Sequence, residues 1–200
     1  MKMDLKRLLD IIGAGVGIIL LLPFFILIAI LIAIDSKGPV FFKQNRVGLN
    51  MQDFELIKFR TMYISTSNNS LLTIGNRDTR VTKVGYWLRK YKLDEFPQLF
   101  NVLRGQMSLV GPRPEVRKYV NLYNDEQRYV LSVKPGITDW ASVEFFNEGE
   151  LLAQAEDPES YYIHNIIPIK INHNLKYVAK HNVTTDLKII WRTLNKIINN

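Results

Sequence analysis

The run from Ile11 to Ile34 carries no charged side chain, and nothing else in the chain limits its fold as strongly. About 24 such positions can cross a hydrocarbon layer as a helix. The run is longer than the apolar core of a signal peptide, and no small-x-small cleavage site follows it. Pro23 sits near its middle, where it removes one backbone donor and crowds the carbonyl of Ile19. Basic residues flank both ends: Lys2, Lys6 and Arg7 before, Lys37, Lys43 and Arg46 after. Such flanks favour the cytoplasmic side of a membrane. A helix that enters, bends at Pro23 and returns satisfies both the proline and the charges. A tilted, kinked spanning helix is the competing reading, because proline is common in such helices.

The remaining length suits one small domain, so the chain divides into a membrane segment over 1–36 and a polar domain over 37–200. The formal net charge of +7 fits nucleic acid, anionic lipid or phosphorylated substrates and does not choose among them. Cysteine is absent, which excludes disulfides and thiolate metal sites and agrees with a cytosol-facing domain.

The polar domain centres on residues 93–115. Phe96, Leu99, Phe100 and Leu103 recur at helical spacing. Asp94 reads as the N-cap of that helix, with Pro97 in the first turn and Gly105 at its end. Asp94 and Glu95 would then lie at a positively polarised backbone terminus, which favours carboxylates and also attracts phosphate. Acids are common in first turns, so a plain capping role competes. Gly111-Pro112-Arg113-Pro114 follows as a rigid loop around one guanidinium, the group best shaped to grip phosphate. Two acids able to share a divalent cation, beside a preset arginine, suit phosphoryl chemistry.

The run from Lys92 to Glu115 resembles the signature of the bacterial sugar transferases, monotopic polyprenyl-phosphate phosphoglycosyl transferases with one membrane-embedded segment. The stretches 35–44, 46–48, 58–62, 135–138 and 186–190 resemble the family in the same order. The resemblance implies a re-entrant helix broken at Pro23. It also implies transfer of a sugar 1-phosphate from a UDP-sugar to polyprenyl (undecaprenyl) phosphate, with release of UMP. Asp94 would form an aspartyl phosphosugar, and Glu95 would ligate the metal or handle a proton. Arg113 would hold phosphate, with Lys58 and Arg89 as further candidates, and Mg²⁺ held by Asp94 and Glu95 would neutralise charge. Expected partners are the UDP-sugar, the lipid phosphate and the inner membrane, with the catalytic domain on its cytoplasmic face. Two positions depart from the family pattern. Leu22 stands where a serine often precedes the proline, and Asp139 where glycine often follows Thr138; Asp tolerates a positive φ better than most residues.

The fold expected is α+β and mostly helical: the membrane segment, a short β-hairpin and amphipathic helices at the interface. The hairpin strands read as 40–44 and 54–62, with Gly48-Leu49-Asn50 between them. Alternation puts Lys58 and Arg60 on one side of the second strand. Ser65 to Asn76 reads as a surface loop, with a lid as the alternative. Asp78 to Lys90 reads as a capped basic helix, and Pro135 to Thr138 as a turn. Val116, Tyr119, Val120 and Tyr123 form a stripe destined for the core. His164, His173 and His181 give no metal spacing. In the tail, Leu187, Ile190, Trp191, Leu194, Ile197 and Ile198 oppose Lys188, Arg192 and Lys196, which suits either the headgroup layer or packing on the domain.

A non-catalytic, membrane-anchored basic module explains the anchor and the charge, but not the acid pair beside the arginine loop. Nucleic-acid binding lacks aromatics interleaved on a basic face and leaves the membrane segment idle. The particular sugar, the pathway (capsule, O-antigen or glycoprotein) and the oligomeric state, a homodimer included, stay open.

Overall fold

The computed structural model describes residues 5–64, 72 and 78–199. The lid alternative for 65–76 therefore falls almost wholly outside the described residues. The architecture is mostly helical, with one long apolar helix, a β-hairpin and a second, very short strand pair.

Helix α1 spans Leu5–Asp35. Its 31 residues give a rod about 46 Å long, against a hydrocarbon core of about 30 Å. Among the described residues it is the one helix long and apolar enough to cross a membrane. The helix is not divided at Pro23, contrary to the helix-break-helix expectation. A proline costs one hydrogen bond and some steric strain, and continuous apolar helix on both sides outweighs that loss.

The burial pattern of α1 matters more than its length. Asp10, Ala14, Phe25, Ile28 and Ile32 are buried, with Gly17 and Leu21 half-buried between them, so one stripe at helical spacing faces the rest of the protein. The other face is bare, with Ile19 72% and Leu20 68% exposed. Polar stitches hold both ends. At the start, the Lys6 ammonium donates to the Val110 carbonyl at 3.0 Å and pairs with Asp186. Arg7 donates to the Val102 carbonyl at 2.7 Å, and Asp10 accepts from Ser108 Oγ at 3.0 Å and Leu109 N at 2.9 Å. At the finish, Asp35 accepts from Val84 N at 3.0 Å, and Arg60 donates to the Ser36 carbonyl at 2.7 Å and to that of Lys37.

Strands β1 (Phe41–Val47) and β2 (Asp53–Phe59) pair antiparallel, Phe41 opposite Phe59 and Val47 opposite Asp53, around a 3-10 turn at Leu49–Met51. β2 ends at Phe59, so its alternation does not reach Arg60. Arg60 is buried under the end of α1, while Lys58 turns to the acid pair; the expected shared side is corrected accordingly. Helix α2 (Lys83–Lys90) begins at Thr82, whose hydroxyl accepts from Gly85 N at 2.9 Å.

Helix α3 (Gln98–Leu103) lies between β2 and α1. Asn101, fully buried, carries the β2 contact. It accepts from Ile57 N at 3.1 Å and donates to the Glu55 carbonyl at 2.7 Å, serving ladder groups that β1 does not take. On the other side Phe100 meets Phe25 of α1 edge-on at 6.1 Å.

Strand β3 (Ser108–Val110) pairs parallel with β4 (Gly136–Thr138), so the expected turn at 135–138 is a strand. With three residues per strand, alternation is too short to read, and the pairing comes from distant sequence. Gly111 and Gly136 explain how the backbones approach: a methyl on either would overlap the other segment's main chain. Gly136→Ala is expected to cost about 3 kcal/mol through this overpacking. Its thermal unfolding midpoint measures the loss, and an unchanged midpoint would mean that the two segments do not abut.

The stretch 116–132 forms α4 (Arg117–Val120), α5 (Asp125–Arg128) and a 3-10 turn at Tyr129–Ser132, not one helix. Asn124 caps α5 through a capping box and divides the run. The stripe Val116, Tyr119, Val120 and Tyr123 is core as expected, packed with Tyr162, Ile166 and Ile171. After α6 (Trp140–Glu144), α7 (Glu148–Ala153) and α8 (Pro158–Tyr161), a π-turn leads into α9 (Ile167–Lys180) and then α10 (Val183–Ile198). Asp186, Ile189 and Thr193 bind α10 to the domain, Thr193 through the Thr138 hydroxyl at 2.7 Å. Leu187, Trp191, Leu194 and Ile198 face outward, each at least half exposed.

Candidate active site

Asp94 and Glu95 sit in a 3-10 turn, Leu93–Glu95, entered through Lys92 at φ 56°. Pro97, not Asp94, precedes the first residue of α3, so Asp94 is not the N-cap of that helix. Pro97 lacks an N–H and its ring fixes φ near the helical value, so the α-helix starts after it and the acids occupy the turn before.

The two neighbouring carboxylates have opposite surroundings. Glu95 is tied by cations on both oxygens. Arg113 Nη1 donates to Oε2 at 3.0 Å and its Nη2 to Oε1, while Lys58 Nζ donates to Oε1 at 2.9 Å. Burial pushes the Glu95 carboxyl up, but the charges of Arg113 and Lys58 and the Arg113 hydrogen bonds outweigh it and hold it well below the usual range. Asp94 is 8% exposed and has no hydrogen-bond partner among the described residues. Burial raises its carboxyl, and Glu95 adds to that, against Lys58, Arg89 and Lys92. Burial also lowers the Lys58 and Lys92 ammoniums, with Glu95 opposing. The turn thus carries one carboxylate committed to two cations and one left free.

The Arg113 loop is fixed at both ends. Gly111 N donates to the Thr138 carbonyl at 3.1 Å, and Gly136 N to the Pro112 carbonyl at 3.0 Å. Asp139, fully buried, accepts from Arg113 N at 3.1 Å with one oxygen and from Ser142 N at 2.6 Å with the other. It is therefore the N-cap of α6, and at φ −154° the position makes no demand for glycine. Beyond the loop, Glu115 accepts from Arg46 Nη1 at 3.1 Å and from the Tyr162 hydroxyl.

Of the residues singled out from sequence, Asp94, Glu95, Lys58 and Arg113 converge. Arg89, in the last turn of α2, joins them through its charge on Asp94. Pro23 is exposed on α1. Among the histidines, His173 pairs with Glu144 at 2.8 Å. Sequence reasoning missed Asp139, Asn101 and the Arg46–Glu115–Tyr162 group. Asp139 before Trp140-Ala141-Ser142 carries an N-cap signal that could have found it. For the others, the partners are distant in sequence and no local signal exists.

A divalent ion can be tested against these donors. Among the described residues no three acids or histidines converge. Asp94 has free oxygens to offer, whereas both Glu95 oxygens are occupied. That suits an ion taken by one carboxylate, substrate phosphate and water, as Mg²⁺ commonly is, and does not suit a pair-held one.

Comparison with known proteins gives the family of the chain. The chain matches the family described as bacterial sugar transferase over residues 1–200. It is 38% identical over 197 residues to a UDP-N-acetylgalactosamine-undecaprenyl-phosphate N-acetylgalactosaminephosphotransferase of Aeromonas hydrophila, covering 97% of this chain and 44% of that protein. It is 38% identical over 199 residues to a UDP-glucose:undecaprenyl-phosphate glucose-1-phosphate transferase of Klebsiella pneumoniae, covering 98% and 40%. A protein of that same description from Caulobacter vibrioides is 34% identical over 200 residues, covering 96% and 69%. The chain thus spans less than half the length of the first two relatives. With the family matched from end to end, the chain belongs to the bacterial sugar transferases.

Proposed function

We propose that the protein moves a sugar 1-phosphate from a UDP-sugar to polyprenyl phosphate, releasing UMP, at the cytoplasmic face of a bacterial inner membrane. The observation that carries this reading is the asymmetry of the acid turn: Glu95 holds Arg113 and Lys58 in place, and Asp94 beside it is free. The printed activities of the relatives give the substrate class.

The chemistry follows from the side chains. Arg113, Lys58 and Arg89 draw in the diphosphate and spread its charge. An Asp94 oxygen attacks the sugar-proximal phosphorus, the bond to the UMP oxygen breaks, and UMP leaves with that electron pair. The phosphate of the polyprenyl acceptor then attacks the aspartyl phosphosugar, which frees Asp94 and forms the lipid diphosphate sugar. Glu95 fixes the two cations throughout. Mg²⁺, held by Asp94 and the donor's phosphate oxygens, would neutralise charge as the phosphoryl group moves.

The membrane reading rests on α1. Both of its ends are stitched to one domain, and its apolar face is bare along its whole length. A helix bound in this way along a polar domain does not thread through a bilayer alone; we read it as lying in one leaflet, its bare apolar face in the lipid and both ends on the same side. The outward stripe of α10, with Trp191 and exposed Lys188, Arg192 and Lys196, suits the headgroup layer. All the proposed site residues come from one chain, so the reading does not require a homodimer.

The test is UMP release from a panel of UDP-sugars with polyprenyl phosphate and Mg²⁺. Repeated turnover that needs both substrates, with at most one UMP per enzyme from the donor alone, supports the reading. Silence across a broad panel, in folded protein, overturns it and favours a membrane-bound scaffold.

A further inference from the structure

We propose that Lys92 is a further catalytic residue, whose ammonium binds the phosphoryl group as it passes from donor to Asp94 to acceptor; this rests on the transferase reading above. Lys92 opens the turn that carries both acids, and the Glu95 N–H donates to its carbonyl at 3.3 Å. Lys92 and the carboxylate that would take the phosphorus are therefore parts of one closed turn. Lys92 holds φ 56° there, a region that L side chains rarely adopt and glycine enters freely.

Neighbouring cations are already engaged. Lys58 donates to Glu95 at 2.9 Å, and Arg113 gives both of its terminal nitrogens to the same carboxylate. Lys92 has no carboxylate partner among the described residues. Its ammonium lies over the Phe146 ring, 4.8 Å from the centroid. One side of the ammonium faces the ring, and the N–H donors on the others remain for an anion. The residue is half-buried, so a substrate can reach it although part of its water is gone. An ammonium kept in that state without a counter-ion is costly, and a phosphate oxygen supplies one. Its charge is felt at Asp94 as well as at Glu95.

Phe146 ties this cation to the Arg113 loop. It is buried just beyond the end of α6, the helix that Asp139 caps. Asp139 also accepts from Arg113 N at 3.1 Å. The segment from Asp139 to Phe146 thus braces Arg113 at its start and Lys92 at its finish. A phosphate arriving at Asp94 meets two cations set by one short support. Lys92 acts by charge alone: it stays protonated through both steps, and the bonds made and broken are those already given.

The experiment is rapid quench of the full chain in nanodiscs, with the donor that releases UMP in the panel above, UDP-glucose and UDP-N-acetylgalactosamine included. It reads the rate and amplitude of UMP release from donor alone, steady turnover with polyprenyl phosphate, and the thermal midpoint. Lys92→Met is expected to slow the first release about a hundred-fold at saturating donor, the scale of one lost transition-state donor. Turnover should fall with it, while amplitude and midpoint stay near wild type. Lys92→Arg, which keeps the charge, should return to within about ten-fold of wild type. Phe146→Leu, which keeps apolar bulk and removes the ring face, should slow release about three-fold. A loss in Lys92→Met confined to donor KM, with the saturated rate kept, overturns the proposal and leaves the lysine to steering. So does a loss of amplitude and midpoint without a change in rate, which marks a structural part, and so does Lys92→Arg no faster than Lys92→Met. In each of those cases wild-type UMP release leaves the transferase reading intact. A wild type silent with every donor removes both.

Discussion

Asp94→Asn is expected to reduce sugar-phosphate transfer by roughly four orders of magnitude or more, the scale seen when a covalent nucleophile is removed. The amide keeps the shape of the side chain and cannot form the acyl phosphate. Because Asp94 has no hydrogen-bond partner among the described residues, the substitution strands nothing. Folding should therefore hold or improve slightly. The sign follows from the raised carboxyl: its stabilising contribution is present below the ordinary aspartate value of 3.8 and lost as pH rises through the raised one. At neutral pH the charged Asp94 is thus a cost, which asparagine removes. Radiolabelled transfer and vesicle flotation measure the two halves of the prediction. Turnover near wild type would assign the nucleophile elsewhere.

Glu95→Ala should behave in the opposite way and damage the fold. It leaves Lys58 and Arg113 beside each other without their shared counter-charge. Breaking a buried pair from one side costs about 3 to 5 kcal/mol, and a chain of this size loses roughly 2 to 4 °C of midpoint per kcal/mol. The pH dependence reverses as well. The depressed carboxyl stabilises fully above the ordinary glutamate value of 4.5 and loses that contribution as pH falls from there toward its lowered value. Glu95→Gln should flatten this acid limb of the unfolding profile. Intrinsic fluorescence during thermal ramps, from neutral pH down to about pH 3, reads both effects. A Glu95→Ala midpoint equal to wild type would mean that the three-way contact does not form.

The parts of this protein visible in its sequence are those set by near neighbours. The apolar run of α1, the hairpin and the stripe Val116, Tyr119, Val120 and Tyr123 each follow a short period that one segment carries by itself. The acid pair and the arginine loop could be singled out for the same reason. Their relation could not. Glu95 and Arg113 lie 18 positions apart, and nothing local says that the guanidinium grips the glutamate and leaves the aspartate free. That Asp139 holds the Arg113 loop could not be read either, because its partner, Arg113 N, is 26 residues away. The parallel pairing of β3 with β4 rests on glycines in both segments meeting across the fold. Proline rules alone predict a break at Pro23, yet the rod continues because the turns on both sides are strongly helical.

The contact between Lys6 and Asp186 joins positions 180 residues apart. During synthesis, the first turns of α1 reach the lipid long before α10 leaves the ribosome. The entry end of the rod is held first at residues 102–110 and gains its Asp186 contact only after α10 has been made. A product stalled before α10 would keep those earlier contacts and lack only the Lys6–Asp186 pair.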